Sequence, residues 1–221
     1  MQHIHMKRCQ STQAEIQKLL DEKSDNYLIS SEFQSLGKGQ RDKKWFSVNN
    51  ALAMSFNLKS SNTISLTSLE IGVLISKFFE IEYEINIELK WPNDLYINRK
   101  KCGGILIQKN NYMICGIGLN LFHDENYPSN IPKITSIFKK THDVSEIAKK
   151  LYSFISDNRM HDEKIRSEFM QRCVHRNEII SIIEDGKEVS GTFLDVGSYG
   201  EARVLINDEV KNIYSASLLL K

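Results

Sequence analysis

Long apolar runs are missing from this 221-residue sequence. None approaches the ~18–20 residues of a membrane span, so no membrane segment is expected. The opening Met-Gln-His-Ile-His-Met-Lys-Arg has no apolar stretch of the kind a secretory leader needs, and a cytoplasmic location is expected. Excess charge is missing as well. Lys and Arg number 29 against 28 Asp and Glu, a net charge of +1, which counts against a protein built mainly to coat nucleic acid. Cysteine is sparse, and Cys9, Cys102, Cys115 and Cys173 lie too far apart for a Cys-x-x-Cys metal or redox pair. Cys102 and Cys115 fall in apolar, strand-like stretches and read as small buried hydrophobes in a reducing compartment. His3 and His5 form a possible chelate for a stray metal on a flexible terminus, with no third ligand nearby in sequence. Internal repeats and low-complexity segments are absent.

What remains is 41% hydrophobic, enough for one main domain with a small one appended. Residues 3–9 read as a strand. Thr12-Gln13-Ala14-Glu15 has the form of a capping box, and Ile16, Leu19 and Leu20 continue at helical spacing, so a helix is expected over 12–22. Strands are expected from Tyr27 and over 51–58, a largely buried helix over 65–80, and a period-two strand over 85–89. Ile105-Leu106-Ile107 and Met113-Ile114-Cys115 flank Lys109-Asn110-Asn111 as a hairpin. Residues 122–142 read as loop, and 143–157 and 162–174 as amphipathic helices. The tail is different in kind: short β-rich runs punctuated by Asp185-Gly186, Gly191, Gly197 and Gly200. The expected organisation is α+β: a main domain over 1–176 with a mixed sheet and flanking helices, and a small β-domain over 177–221.

Four stretches carry chemistry. Residues 90–108, Lys-Trp-Pro-Asn-Asp-Leu-Tyr-Ile-Asn-Arg-Lys-Lys-Cys-Gly-Gly-Ile-Leu-Ile-Gln, place Asn93 and Asp94 at the mouth of a strand. Asp94 offers a hard oxygen suited to Mg2+ with nucleotide phosphates. Lys101 offers a cation seven residues on, and Gly103-Gly104 permits close backbone approach. A plain hairpin with a solvated lysine pair would read the same way. The second stretch, Gln34 to Trp45, holds Gly37 and Gly39 among Lys38, Arg41, Lys43 and Lys44. It suits an anion, lacks the Gly-Lys-Ser/Thr of a P-loop, and also fits a solvated basic turn. Ser11-Thr12-Gln13 and Gly116-Ile117-Gly118-Leu119-Asn120 are the third and fourth. Alone, they read equally as a helix cap and a glycine-bearing core strand.

Taken in order, these stretches resemble the biotin protein ligases, whose most diagnostic run has the form Lys-Trp-Pro-Asn-Asp followed by Gly-Ile-Leu. The resemblance spans most of the chain. It implies a sheet of the biotin/lipoate ligase, class II synthetase-like type and a small C-terminal SH3-like barrel. It implies catalytic roles for Lys101, Asp94 and Lys90, with Asp94 also on the metal. It assigns biotin to Ser11, Thr12, Gln34, Gly37, Lys38, Lys101, Gly104, Gly116 and Gly118. The nucleotide falls to Lys38, Gly39, Gln40, Arg41, Lys43, Trp45, Asn93 and Asn120. The basic loop departs from the family's Gly-Arg-Gly-Arg-x-Gly-Arg-x-Trp at Lys38, Gln40, Asp42 and Lys43, and Gln13 stands where Asn is usual. The implied activity is ATP- and Mg2+-dependent ligation of biotin to a lysine of a biotin carboxyl carrier domain through biotinyl-5′-AMP, by a monomer or homodimer. With the first motif at residue 11, no room precedes it for a helix-turn-helix, so no specific DNA binding is expected. The alternatives are a lipoate or octanoate ligase and a non-catalytic biotin-binding protein.

Overall fold

The computed structural model describes residues 1–22, 25–40, 45, 51–122, 135–138, 142–184, 187–215 and 217–220. Two sheets organise them. The first has seven strands: β1 (Gln2–Met6), β2 (Tyr27–Ser31), β3 (Leu52–Asn57), β4 (Glu88–Lys90), β5 (Asp94–Ile97), β6 (Lys100–Lys109) and β7 (Met113–Leu119), in the order β1-β2-β3-β7-β6-β5-β4. The β1–β2 pair is parallel and the other pairs are antiparallel. Helix α1 (Thr12–Glu22) makes the crossover that a parallel pair requires. Its Ile16 and Leu20 pack on Tyr27, Ile29 and Ile114 over one face of the sheet.

The other face is covered by α2 (Thr67–Tyr83) and α3 (Val144–Asp157), with α4 (Asp162–Arg172) against α2. Eleven α2 residues are buried, from Thr67 to Phe79, as expected of a helix apolar on most sides. Glu70 is among them, fully buried, and receives Arg159 Nε at 2.9 Å, Arg159 Nη2 at 2.7 Å, the Met160 amide at 2.7 Å and the Ser61 hydroxyl at 2.7 Å. This cluster ties α2 to the segment between α3 and α4.

The tail forms a five-stranded antiparallel sheet of β8 (Ile179–Glu184), β9 (Lys187–Val196), β10 (Ala202–Ile206), β11 (Glu209–Ile213) and β12 (Ser217–Leu220), in the order β11-β10-β9-β8-β12. The expected SH3-like closure is not seen in the pairing: among the described residues β11 and β12 are the two edges of an open sheet. Its Ile180, Ile182, Phe193 and Val204 belong to the same continuous apolar cluster as α2 and the first sheet. The seam between the sheets is also polar. Trp91 Nε1 donates to Gly200 O at 2.8 Å, and Arg99 forks onto Glu178 with both contacts at 2.8 Å. Gly200 holds φ +79°, where a Cβ is strained.

Several boundaries moved. The strand expected over 3–9 ends at Met6, and Cys9 beyond it pairs again with Gln34 as an isolated parallel bridge. The alternating run 85–89 contributes only Glu88 and Leu89 to β4; α2 closes on Glu84 in the left-handed region at φ 56°, and Ile85 and Ile87 hydrogen-bond back to it. Thr12 does not cap α1. Its hydroxyl turns inward to Gln34 and Ser55, and Ser11 Oγ takes the Ala14 amide at 3.4 Å instead. Most of the expected loop 122–142 lies outside the described residues.

Candidate active site

Strand register builds the floor of a cavity of about 330 Å³ on the face of the first sheet that carries α1. Gly118 of β7 lies opposite Gly104 of β6 and Ala53 of β3, and Gly104 lies opposite Asp94 of β5. One step along, Gly116 pairs with Ser55 and Leu106. Residues two apart on a strand share a face, so Gly116 and Gly118 leave a bare strip there. Side chains from elsewhere descend onto it. A Cβ on Gly118 would meet the Trp45 ring at 2.6 Å, and one on Gly116 would meet Gln13 at 3.0 Å. The glycines are thus required by close approach rather than by backbone conformation.

One wall is the start of α1. Gln34 Oε1 accepts from the Thr12 amide at 2.7 Å and the Thr12 hydroxyl at 3.1 Å, and the same hydroxyl lies 2.8 Å from Ser55 Oγ. Ser11 and Thr12 are thereby held at the cavity edge. The opposite wall is the turn after β4, where a cis peptide joins Trp91 to Pro92. Asn93 is pinned to β6 in both directions, its side chain donating to Ile105 O at 2.7 Å and its own carbonyl accepting the Ile105 amide at 2.9 Å.

Charge concentrates on Asp94. Lys101 Nζ contacts its Oδ1, and Lys90 Nζ lies 3.7 Å from its Oδ2. Two lysines on one carboxylate leave a net positive end to the cavity. Lys101 Nζ also stands 5.8 Å from the centre of the Trp45 ring, and Lys90 Nζ 5.5 Å from that of Tyr96. Burial, then the neighbouring Asp94 and Cys102, push the Tyr96 hydroxyl up to about 12, so Tyr96 is a neutral phenol beside Lys90. Asp94 is the sole carboxylate lining the cavity among the described residues, which also hold no group of three His, Cys, Asp or Glu able to cage a metal. That donor set fits magnesium arriving on nucleotide phosphates, which takes one or two protein carboxylates, rather than a resident ion.

Of the residues singled out from sequence, Ser11, Thr12, Gln34, Lys38, Gly39, Gln40, Trp45, Lys90, Asn93, Asp94, Lys101, Gly104, Gly116 and Gly118 all line this one cavity. Gly37 does not line it but supports it, its carbonyl accepting the Trp45 amide at 2.9 Å. Asn120 is buried behind it, with its amide on Cys102 O at 2.8 Å. Arg41 and Lys43 lie outside the described residues. Sequence reasoning missed Ser55, a buried polar residue in the otherwise apolar run of β3, and that polarity was the available signal. It also missed Leu218 of β12, which brings the tail sheet to the cavity; nothing in its local sequence marks it.

Matched against protein families, residues 6–120 fit the Biotin/lipoate A/B protein ligase family, and the chain belongs to that family. Among its curated relatives, the bifunctional ligase/repressor BirA of Escherichia coli (strain K12) is 32% identical over 101 residues, covering 41% of this chain and 32% of the relative. BirA of Bacillus subtilis (strain 168) is 29% identical over 120 residues, covering 49% and 37%. The chain spans about a third of the length of these curated relatives. A biotin protein ligase variant from Aquifex aeolicus in complex with biotin superposes at a TM-score of 0.82 with 26% identity, covering 100% of this chain and 99% of that one. The fold is also that of biotin acetyl coenzyme A carboxylase synthetase from Helicobacter pylori with bound biotinylated ATP, at a TM-score of 0.72, 24% identity and coverage of 95% and 98%. Among the described residues no helix is long and apolar enough to cross a membrane.

Proposed function

We propose that this chain is a biotin protein ligase, joining biotin to one lysine of a carrier domain at the expense of ATP. The observation that carries this reading is the cavity itself: a glycine floor over Gly104, Gly116 and Gly118, with Lys90 and Lys101 bracketing Asp94 at one end. The glycines let the Trp45 ring and the Gln13 side chain come down close over the sheet, and the lysine pair meets the carboxylate of an acid held in the cavity.

In the first step a biotin carboxylate oxygen attacks the α-phosphorus of ATP. The bond to the β-phosphate oxygen breaks, giving biotinyl-5′-AMP and pyrophosphate. Lys101 holds the carboxylate and then the acyl phosphate, Lys90, Lys38 and Gln40 serve the phosphates from the cavity lining, and Arg41 and Lys43 of the same basic stretch add charge for them. Preorganised cations of this kind stabilise charge that builds in the transition state. Asp94 would hold magnesium arriving with the nucleotide, which would neutralise phosphate charge. Trp45 and Asn93 hold the nucleotide end, together with Gly39 and Asn120. Ser11, Thr12 and Gln34 meet the ureido ring. In the second step the neutral amine of the carrier lysine attacks the acyl carbon and AMP leaves. AMP is a good leaving group, so this step needs positioning and exclusion of water more than a strong base. Residues 1–176 supply the groups for this chemistry, and residues 177–221 form a small appended β-domain whose Leu218 reaches the cavity.

The test is direct. The chain is incubated with ATP, Mg2+ and a biotin carboxyl carrier domain, with labelled biotin in one arm and labelled lipoate in the other. Label on the carrier lysine from biotin alone is the expected result. Transfer of lipoate in preference to biotin would reassign the substrate within the family, and adenylate-free binding of biotin would make the chain a non-catalytic binder.

A further inference from the structure

His3 and His5, a chelating pair with no third ligand in the local sequence, acquire partners in the fold. They are not on a loose terminus: β1 is hydrogen-bonded in parallel to β2, with His5 opposite Ser30. Residues two apart on a strand share a face, and the two rings lie side by side with centroids 6.2 Å apart. Both aim at one point. His3 Nε2 and His5 Nδ1 each stand 2.8 Å from the Oγ of Ser30, which is fully buried.

Behind His5, its Nε2 lies 3.4 Å from Glu32 Oε1. A carboxylate only accepts, so His5 donates there from Nε2 and its Nδ1 keeps a lone pair turned inward. A carboxylate behind one nitrogen, with the other facing a shared point, is the arrangement that orients metal-bound histidines. The cluster is separate from the cavity. Ile29 packs under α1 on the cavity face, so its neighbour Ser30 points to the opposite face. Both imidazoles are only part-buried, which leaves a path from solvent.

We propose that His3 Nε2 and His5 Nδ1 form a binding site for a divalent transition metal of the zinc, copper or nickel class, with water completing the coordination. Imidazole nitrogen suits these ions and bonds zinc at about 2.0–2.1 Å. The ion sits on the solvent side of the Ser30 hydroxyl, and side-chain rotations turn the part-buried rings toward it. Neutral imidazoles ligate without losing a proton; His3 needs only to carry its hydrogen on Nδ1. Among the described residues no third His, Cys, Asp or Glu converges, so two protein nitrogens give an exchangeable ion rather than one sealed in a four-ligand cage. An ion bound by the folded chain stabilises that state by mass action.

The experiment titrates the full chain with ZnCl2 by calorimetry and equilibrium dialysis. One zinc per chain is expected. His3→Ala and His5→Ala should each weaken it at least about tenfold, and Glu32→Gln by about tenfold, the usual effect of removing an orienting carboxylate. Carbethoxylation of the unmodified chain, mapped by mass spectrometry, needs no variant to fold, and there zinc should protect His3 and His5. Absence of zinc uptake, uptake that survives both histidine variants, or protection falling on other residues would each overturn the proposal.

Discussion

Lys101 and Asp94 act as a pair, and their contact lets the two roles be separated. Lys101→Ala should remove the charged hydrogen bond to the ligand's carboxyl end and weaken biotin or adenylate binding by about 1.5–3 kcal/mol, the usual worth of a bond to a charged group. Calorimetric titration measures this, and an affinity equal to the parent's would remove Lys101 from the ligand. Asp94→Asn keeps the side-chain shape and loses the charge. The expected result is a higher magnesium requirement for adenylate formation, read as pyrophosphate release against Mg2+ concentration; an unchanged requirement places the metal elsewhere. The glycine floor gives a third test at this scale. A Cβ on Gly118 would stand 2.6 Å from the Trp45 ring, while one on Gly104 would have Trp45 no closer than 3.4 Å. Gly118→Ala should therefore displace Trp45 and cost about 1–3 kcal/mol as an overpacked site, with altered tryptophan emission before any ligand is added. Gly104→Ala should leave that emission unchanged.

Among the elements, α2 carries the sharpest conflict between sequence and environment, a glutamate in a helix buried on nearly all sides. Burial pushes the Glu70 carboxyl up. Hydrogen bonds from Arg159, the Met160 amide and Ser61, with the Arg159 charge, outweigh that and hold it below the usual carboxylate range. A carboxyl with a lowered folded pKa adds stability that is present above its unfolded pKa and lost as pH falls through the folded one. Glu70→Gln leaves Arg159 without its counter-charge, and breaking a buried pair in this way costs about 3–5 kcal/mol. Urea midpoints should drop near neutral pH and depend less on pH in the acid range than those of the parent. A variant with parental midpoints would show that the cluster contributes little. The helix was visible from its apolar positions, but Glu70's partners Arg159 and Met160, 89 and 90 residues away in sequence, were not.

At the scale of the whole molecule, the two sheets meet around a buried histidine. His175 is fully buried, packs edge-on against Phe193 with ring centroids 4.2 Å apart, and follows the segment that pairs with β4, where the Val174 amide meets Leu89 O at 2.9 Å. Burial, reinforced by Lys90 and opposed by Glu178, pushes its pKa down from 6.5 to about 3. The unfolded chain therefore binds a proton that the folded chain does not between those values. Stability should be complete above pH 6.5 and fall as pH drops toward 3. His175→Leu removes that proton and should flatten the fall between pH 6.5 and 4 in urea-unfolding midpoints; an unaltered slope would place the acid lability in other groups. Because one apolar cluster runs through both sheets, fluorescence and circular dichroism should report a single coincident transition.

The sequence by itself determined what local pattern can determine. Helix α1 begins and ends where its apolar spacing placed it, the hairpin of β6 and β7 turns at Asn110-Asn111-Tyr112, one residue along from the expected Lys109-Asn110-Asn111, and the helices from Val144 and Asp162 follow their amphipathic runs. Those signals live within a few turns or a few residues of chain. The motifs also named most of the cavity, since glycines and charges at a ligand site are demanded by the ligand and not by the neighbouring chain. Only the tertiary structure decided the rest. The run at 85–89 alternates like a strand, but the Ile85 amide bonds Phe79 O and Ile87 O takes the Ser76 hydroxyl, both on α2, so pairing with β5 begins only at Glu88. Thr12 has a capping residue's chemistry, yet Gln34 and Ser55, brought close by β2 and β3, offer its hydroxyl better partners. Leu218 reaches the cavity, and Ser30 and Glu32 meet His3 and His5, because strand order puts residues distant in sequence side by side. Hydrogen bonding and packing act over a few ångströms of space, and sequence separation carries no record of that distance.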